Sequence, residues 1–499
     1  MRNLSSIIIL VLIVLAAFII RIYTLDKFGI HGDEKISITN ATGIAFIGPS
    51  SYATDSFNSS HYWQKNTVRE VIKQNLEIDR GNTMLYTVML HFWIEAFGTS
   101  DFSVRLLSVL FDLFNLLLVF LITLALRFKK RIALLAMALC ALHPLLVEWS
   151  HIARGYTAAT TFALLSTYFF IRIIQGEEKS KFRAIYIWYG LTLLAAALTH
   201  YFTIYVVIGH VAYSLFYFRN KKTFYRFFIS YFIFLGGFLF WLDQGGMEGL
   251  RNMNERSSHY EQETNENPNL FAEELTSYLM FQASTRQFLP YSGNYFTRFG
   301  IKLRYIAPLL LIPLLLLFIG FTNAYPGKRM KLLLLFLILG PIVQSILLAI
   351  FSGHTISFYP KYVIFSAPLF SMLYAIAFFH LFKMQRWMKL LGFSLIGSQI
   401  INMAYSITGI YIDANTWRTN PREKNVHYQV SKEIIKRYLP GDTIIYFGWT
   451  DALMTNLYLR KHKEIIQKVN QNQAPNTVFL KSNGHLILLT TFENSSNAY

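Results

Sequence analysis

Long apolar blocks separated by short basic connections set the strongest limit on what this chain can fold into. Residues 7–20 and 106–126, for example, hold almost no charge. That is close to the roughly 20 residues a helix needs to cross a hydrocarbon core of about 30 Å. Of the 499 residues 54% are hydrophobic and 15% charged, against about a quarter charged in a soluble domain. A water-soluble globule is excluded, and an α-helical polytopic membrane protein is expected. A single cysteine, Cys140, excludes a disulfide framework and any Cys-based metal cluster.

Windows of about 20 apolar residues place spans near 5–22, 101–126, 132–148, 154–174, 184–199, 201–218, 224–242, 301–321, 331–351, 359–380 and 388–410. The net charge of +18 is mostly a topology signal. Five connections, near 127–131, 172–183, 219–226, 328–331 and 383–389, carry 18 Lys and Arg against Glu177 and Glu178 alone. Basic residues in short loops stay on the cytoplasmic side. The N-terminus is therefore expected inside, with loops 23–82 and 243–300 and the tail from 411 outside. Loop 23–82 carries seven acids and six Lys or Arg, and 243–300 carries eight acids and four Arg. Arg21 fits this scheme poorly, because it follows the first span on its outer side. Residues 83–97 are apolar but too short to span and read as a helix in the outer interface. From 411 the composition becomes that of a soluble domain, with helix expected at 430–438 and 451–461 and strand at 443–447 and 485–491.

Mid-span charges look nearly absent, whereas a transporter needs them. Ionisable residues gather instead just outside span ends on the outer face, as expected where a lipid-borne reactant meets its partner. His31-Gly32-Asp33-Glu34 follows the first span by about ten residues. Its Asp can serve as general base for an attacking hydroxyl, or simply cap a helix. Asp79-Arg80-Gly81-Asn82 precedes the interfacial helix and reads as a turn or as a site for a metal or a phosphate. Arg154 and Lys361 either snorkel to headgroups or bind phosphate. Thr199-His200-Tyr201 separates two apolar blocks on the outer side. His91 and Glu95, four apart, fit an amphipathic helix better than a metal pair. No nucleotide-binding or protease motif is present.

The order of Asp33-Glu34, then Leu85-Tyr86, His91-Phe92-Trp93 and Phe97-Gly98, then Phe102-Ser103-Val104-Arg105-Leu106-Leu107-Ser108, resembles the GT-C integral-membrane glycosyltransferases. Within them it is similar to the bacterial protein O-mannosyltransferase and lipid A aminoarabinose transferase families. His143-Pro144, Arg154 with Tyr156, Thr199-His200-Tyr201 and Lys361-Tyr362 follow in the same order. The resemblance implies a GT-C catalytic domain over 1–410 with about 11–13 transmembrane helices, and a small α/β extracytoplasmic domain over 411–499. It implies residence in a bacterial inner membrane and inverting transfer from a polyprenyl-phosphate-linked sugar to a lipid, glycan or protein acceptor. Nucleic acid is not expected as a partner. On the matching residues, Asp33 is the implied base with Glu34 beside it. Arg80, Arg154, Tyr156, Lys361 and Tyr362 are implied for the donor phosphate, and Asp79, Asn82, His200 and Tyr201 for the substrate pocket. No cofactor is required, and a divalent metal at Asp79 and His259 is left open. Gly81-Asn82-Thr83 departs from the His-Pro-Pro of many relatives, and Lys361 from their Arg. The competing classes are a lipid-linked oligosaccharide polymerase or ligase, expected to have an Arg-rich late loop, and a flippase or transporter, expected to have mid-span charges or repeats.

Overall fold

A computed structural model describes residues 2–27, 29–30, 32–42, 57–58, 66–175, 183–217, 221–248, 328–352, 360–383, 385–412, 426–440, 442–446, 466–469, 477–482 and 485–490. It also describes 278, 318–319, 322, 455, 458–459, 462 and 464–465. His259, most of loop 243–300, most of the expected span 301–321 and most of the expected helix 451–461 lie outside the described residues.

Helices dominate the first 412 residues. They are α1 (Arg2–Ile22), α2 (Gly32–Thr42), α3 (Val68–Asp79), α4 (Met84–Phe97), α5 (Asp101–Ala125), α6 (Lys130–Ala141), α7 (Pro144–Ser150) and α8 (Tyr156–Ile174). After these come α9 (Arg183–Thr199), α10 (Ile204–Tyr217), α11 (Lys221–Trp241), α12 (Lys328–Ser352), α13 (Ala367–Leu381) and α14 (Arg386–Ile412). A 3₁₀ turn at Pro360–Ser366 leads into α13. Among the described residues six helices are long and apolar enough to cross a membrane, or seven if the bent pair α6 and α7 makes one span. The expected span 132–148 is found as two helices with a 57° bend between Ala141 and Pro144. Proline at the first position of α7 explains the break, since it supplies no amide and clashes with a preceding turn. Four further apolar helices, Met84–Phe97, Ala184–Thr199, Tyr201–Leu215 and Lys331–Leu347, are shorter.

The bundle is built around α5, α8 and α9, with α6 packed between α5 and α13, and α11 beside α9. Its buried core includes Trp149, Phe170, Tyr189, Tyr374 and Phe378. A second apolar cluster joins Ile38 of α2, Tyr86 and Leu90 of α4 and Val104 of α5 to Ile434 and Ile444 of the tail. The tail contributes α15 (Val426–Arg437) and the strands β2 (Thr443–Tyr446), β3 (Ile466–Val469), β4 (Thr477–Ser482) and β5 (His485–Thr490). Strand β1 (Phe57–Asn58) comes from the first loop and pairs antiparallel with β3, so the sheet runs β1-β3-β2-β4-β5. The first loop is thus stitched to the tail by a strand as well as by side chains, which the sequence patterning had kept apart.

Arg21 lies in the last turn of α1. It is fully buried and its Nε donates to Asp112 Oδ2 at 2.6 Å, while Nη1 donates to the carbonyls of Ala141 (3.0 Å) and Ala17 (3.3 Å). The expectation that mid-span charges are nearly absent is corrected at the same point, since Asp112 sits at the centre of α5. Burial is tolerable because the two charges cancel and the guanidinium also donates to the Ala141 carbonyl at the end of α6. The misfit of Arg21 with a purely electrostatic topology rule has this cause. Asp112→Ala should leave a buried guanidinium without its counter-charge and cost roughly 3–5 kcal/mol. A detergent-solubilised thermal melt should show that loss, and Arg21→Met with Asp112→Leu should recover most of it.

Candidate active site

Helix α2 begins at Gly32, so Asp33 and Glu34 stand in its first turn. Adjacent residues on a helix point about 100° apart, and here the two carboxylates meet different partners. Glu34 is 1% exposed. Arg105 of α5 grips it with two parallel bonds, Nε to Oε1 at 2.8 Å and Nη2 to Oε2 at 2.9 Å. The Ala153 amide donates to Oε1 at 2.8 Å. The same guanidinium reaches the carbonyls of Leu25 (2.7 Å) and Gly29 (2.8 Å). Asp33 faces the other way: its Oδ2 accepts the Tyr156 hydroxyl at 3.3 Å and stands 3.4 Å from the Lys361 ammonium. The Asp33 side chain is 28% exposed and that of Lys361 18%.

Asp79 ends α3. Arg154 closes on it with Nη1 to Oδ2 and Nη2 to Oδ1, both at 2.8 Å, and Thr83 Oγ1 donates to Oδ2 at 2.9 Å. Burial pushes the Asp79 carboxyl up from its ordinary range, against the opposing pull of Arg154 and Thr83. Burial also opposes the charge on Arg154, but Asp79 and Asp33 outweigh it and hold the guanidinium protonated. Arg154 Nη1 further contacts Ser37 Oγ at 3.3 Å, which ties the turn 150–155 to α2.

The turn after Asp79 is strained. Arg80, Gly81 and Thr83 all have positive φ, at 55°, 75° and 53°, where residues other than glycine sit at a cost of about 1 kcal/mol or more. Tyr201 Oη donates to the Arg80 carbonyl at 3.2 Å, and the Trp241 indole donates to Tyr201 Oη at 3.4 Å. A Cβ on Gly81 would fall 2.4 Å from Tyr201 Oη and 2.9 Å from Trp241, so only glycine fits. Arg80 Nε is buried without a hydrogen-bond partner among the described residues, and so is Asn82 Oδ1.

His200 precedes the 3₁₀ turn Tyr201–Thr203 and its Nδ1 accepts the Phe202 amide at 3.3 Å. The ring proton therefore sits on Nε2, which has no partner among the described residues. Burial, then the charges of Arg154 and Lys361, push His200 down to about 3, so it stays neutral at ordinary pH. Its ring lies 5.2 Å from that of Tyr156 and 6.1 Å from that of Tyr362.

Asp33, Tyr156, Lys361, Tyr362, His200, Arg154 and Asp79 thus form one linked group, with Arg80 and Asn82 on the adjoining turn and Tyr201 bonded to it. Arg154, expected at a phosphate, is instead closed on Asp79. Asp79, left open as a metal ligand, has both oxygens on arginine and does not fit that role. Among the described residues no three His, Cys, Asp or Glu side chains come together as a metal site. His91 uses Nδ1 on the Ala41 carbonyl at 2.8 Å and stands 3.9 Å from Glu95, as a structural residue. Sequence reasoning missed the parts played by Arg105, Ser37, Thr83, Ala153 and Trp241. An arginine five positions into an apolar span was the one available signal, since it requires a buried acid nearby.

The model of the dolichyl-phosphate-mannose-protein mannosyltransferase family matches residues 82–241, which run from the Asn82 turn through Arg105, Arg154 and His200 to Trp241. No curated protein sequence matches this chain. Among solved structures, the oligosaccharyltransferase of Archaeoglobus fulgidus in its apo form is similar at 11% identity and a TM-score of 0.52. The similarity covers 94% of this chain and 65% of that one, so the chain spans about two thirds of the archaeal protein's length. ArnT from Cupriavidus metallidurans bound to undecaprenyl phosphate is similar at 15% identity and a TM-score of 0.49, over 93% of this chain and 86% of that one. The chain shares its fold with that archaeal oligosaccharyltransferase, and the segment 82–241, about a third of the chain, is similar to the mannosyltransferase family.

The two adjacent carboxylates should separate in experiment. Glu34→Gln leaves Arg105 buried against a neutral partner and should lower the melting temperature by several degrees along with activity. Asp33→Asn removes only a long, partly exposed contact and should change stability by about 0.5 kcal/mol or less.

Proposed function

We propose that this protein moves a sugar from a polyprenyl-phosphate donor to an acceptor hydroxyl at the outer face of a bacterial inner membrane, with inversion. The carrying observation is a contrast among three acid–base pairs. Glu34–Arg105 and Asp79–Arg154 are bidentate, buried and closed at 2.8–2.9 Å. Asp33–Lys361 is single, long at 3.4 Å, and partly exposed. A general base needs a carboxylate that is held in place and reachable, and of the three acids Asp33 meets both conditions.

Asp33 takes the proton of the acceptor hydroxyl as that oxygen attacks the anomeric carbon. The bond from that carbon to the phosphate oxygen breaks, and polyprenyl phosphate departs with the electron pair. Lys361 and Arg80 offset the charge gathering on the phosphate. Arg154 adds to the same positive field from its place on Asp79 without leaving it. Tyr156 orients Asp33 through its hydroxyl, Tyr362 flanks Lys361, and the neutral Nε2–H of His200 and Oδ1 of Asn82 are offered to substrate oxygens and hydroxyls. Tyr201 acts through the Arg80 turn. Glu34 serves as the anchor of α2 and not as a second base. Every group used is on the chain, and the scheme calls on no cofactor. The charge of the basic connections supports a cytoplasmic N-terminus, with the site and tail outside.

Purified protein in lipid nanodiscs should convert a polyprenyl-phosphate hexose or pentose to free polyprenyl phosphate when envelope acceptors are supplied. Asp33→Asn should lower that turnover about 10²–10⁴-fold, and wild-type-like turnover would remove Asp33 as the base. Mass spectrometry of envelope glycolipids and glycoproteins from cells with and without the protein identifies the sugar and the acceptor class.

A further inference from the structure

Lys361 is assigned above to the donor phosphate, yet in this structure it rests on Asp33 instead. Its ammonium stands on Asp33 Oδ2 at 3.4 Å, and lies 5.3 Å from the Tyr362 ring and 5.9 Å from the Trp149 ring. A charge-assisted bond from nitrogen to a carboxylate closes at about 2.7–2.9 Å, so this one is loose. Both side chains keep some exposure, whereas Arg154 and Arg105 are almost wholly buried on their own acids. A lysine ammonium is a point charge on a four-carbon stem and can change partners without reshaping the backbone.

We propose that Lys361 is a donor-gated counter-ion: in the free protein it rests on Asp33, and the phosphate of an arriving lipid donor draws it away, releasing Asp33 to receive the acceptor. The inference rests on the donor and base assigned above. No bond is made or broken in this step, since the ammonium stays protonated and exchanges one anion for another. Groups that face Asp33 include the Tyr156 hydroxyl, the Arg154 guanidinium, the Asp79 carboxylate that holds it, and the neutral His200. Neither the tyrosine nor the histidine carries charge to follow a phosphate, and Arg154 is locked by two bonds at 2.8 Å. Lys361 is the cation of this group that combines reach with a weak existing contact. Its withdrawal would leave Asp33 with a neighbouring anion in place of a cation, which raises the carboxylate's affinity for a proton. Donor binding would therefore come before productive acceptor binding, and Asp33 would be released to act as base only with the sugar in place.

The competition between Asp33 and phosphate for one ammonium is measurable as a double-mutant cycle on binding of polyprenyl phosphate to the full-length protein in nanodiscs. Asp33→Asn should tighten binding about fivefold or more when Lys361 is present, because the ammonium no longer has to leave a carboxylate. In the Lys361→Met background the same Asp33 change should tighten binding by less than about twofold. Equal tightening in both backgrounds would mean simple repulsion between Asp33 and phosphate, and would overturn the gate while leaving the donor assignment intact. Failure of the wild-type protein to bind polyprenyl phosphate would instead overturn the donor assignment on which the gate rests. Thermal melts of all four proteins distinguish a binding change from a folding defect.

Discussion

The fastening of helix α2 by Arg105 is the interaction on which the rest of the site depends. One guanidinium, buried near the start of a membrane span, binds both oxygens of Glu34 and two carbonyls of the chain between the first span and α2. Carbonyls in an irregular stretch next to an apolar bundle need donors, and Arg105 supplies them while using Glu34 to neutralise its own charge. The geometry then propagates without further devices. With Glu34 pinned inward, its neighbour in the first helical turn is turned outward, and Asp33 meets Tyr156 and Lys361.

A second clamp works beside the first. Asp79 and Arg154 bind the strained turn at the end of α3 to the turn between α7 and α8, and Ser37 joins that pair to α2. The Ala153 amide on Glu34 closes the loop between the two clamps. Two buried, bidentate pairs therefore hold a third pair that is neither buried nor bidentate. Buried ion pairs of this kind are weak evidence of stability, since their desolvation offsets much of their attraction. Their value here is positional, because each fixes the direction of a neighbouring side chain at the end of the bundle.

Much of the fold was legible because its physics is one-dimensional. Apolar block length and loop charge are read directly from the chain, and the helices found near 5–22, 101–126, 154–174, 224–242 and 359–380 follow that reading closely. The bend at Pro144 was hidden because the apolar run continues through it. The Arg21–Asp112 pair was hidden for a related reason, since a charge looks misplaced until its partner from another helix is known. At the site, the residues that titrate or bind anions were legible as types, and Asp33, Tyr156, His200 and Lys361 do come together. Which acid is closed and which is open was not legible, because Asp33 and Glu34, or Arg105 and Arg154, carry the same chemistry in sequence and differ only in what the fold sets opposite them. The pairing of Phe57 and Asn58 with β3, about 400 residues away, has no local signal at all.

The central claim is that Asp33 is the reactive carboxylate because Lys361 alone of the three cations can exchange it for a phosphate. An experimental structure with polyprenyl phosphate bound tests this directly through three distances. The account predicts the phosphate within hydrogen-bond reach of Lys361 Nζ, Asp33 freed from that ammonium, and the Arg105–Glu34 and Arg154–Asp79 bonds unchanged near 2.8 Å. A phosphate seated on Arg154 with Asp79 displaced, and Lys361 still on Asp33, would contradict it.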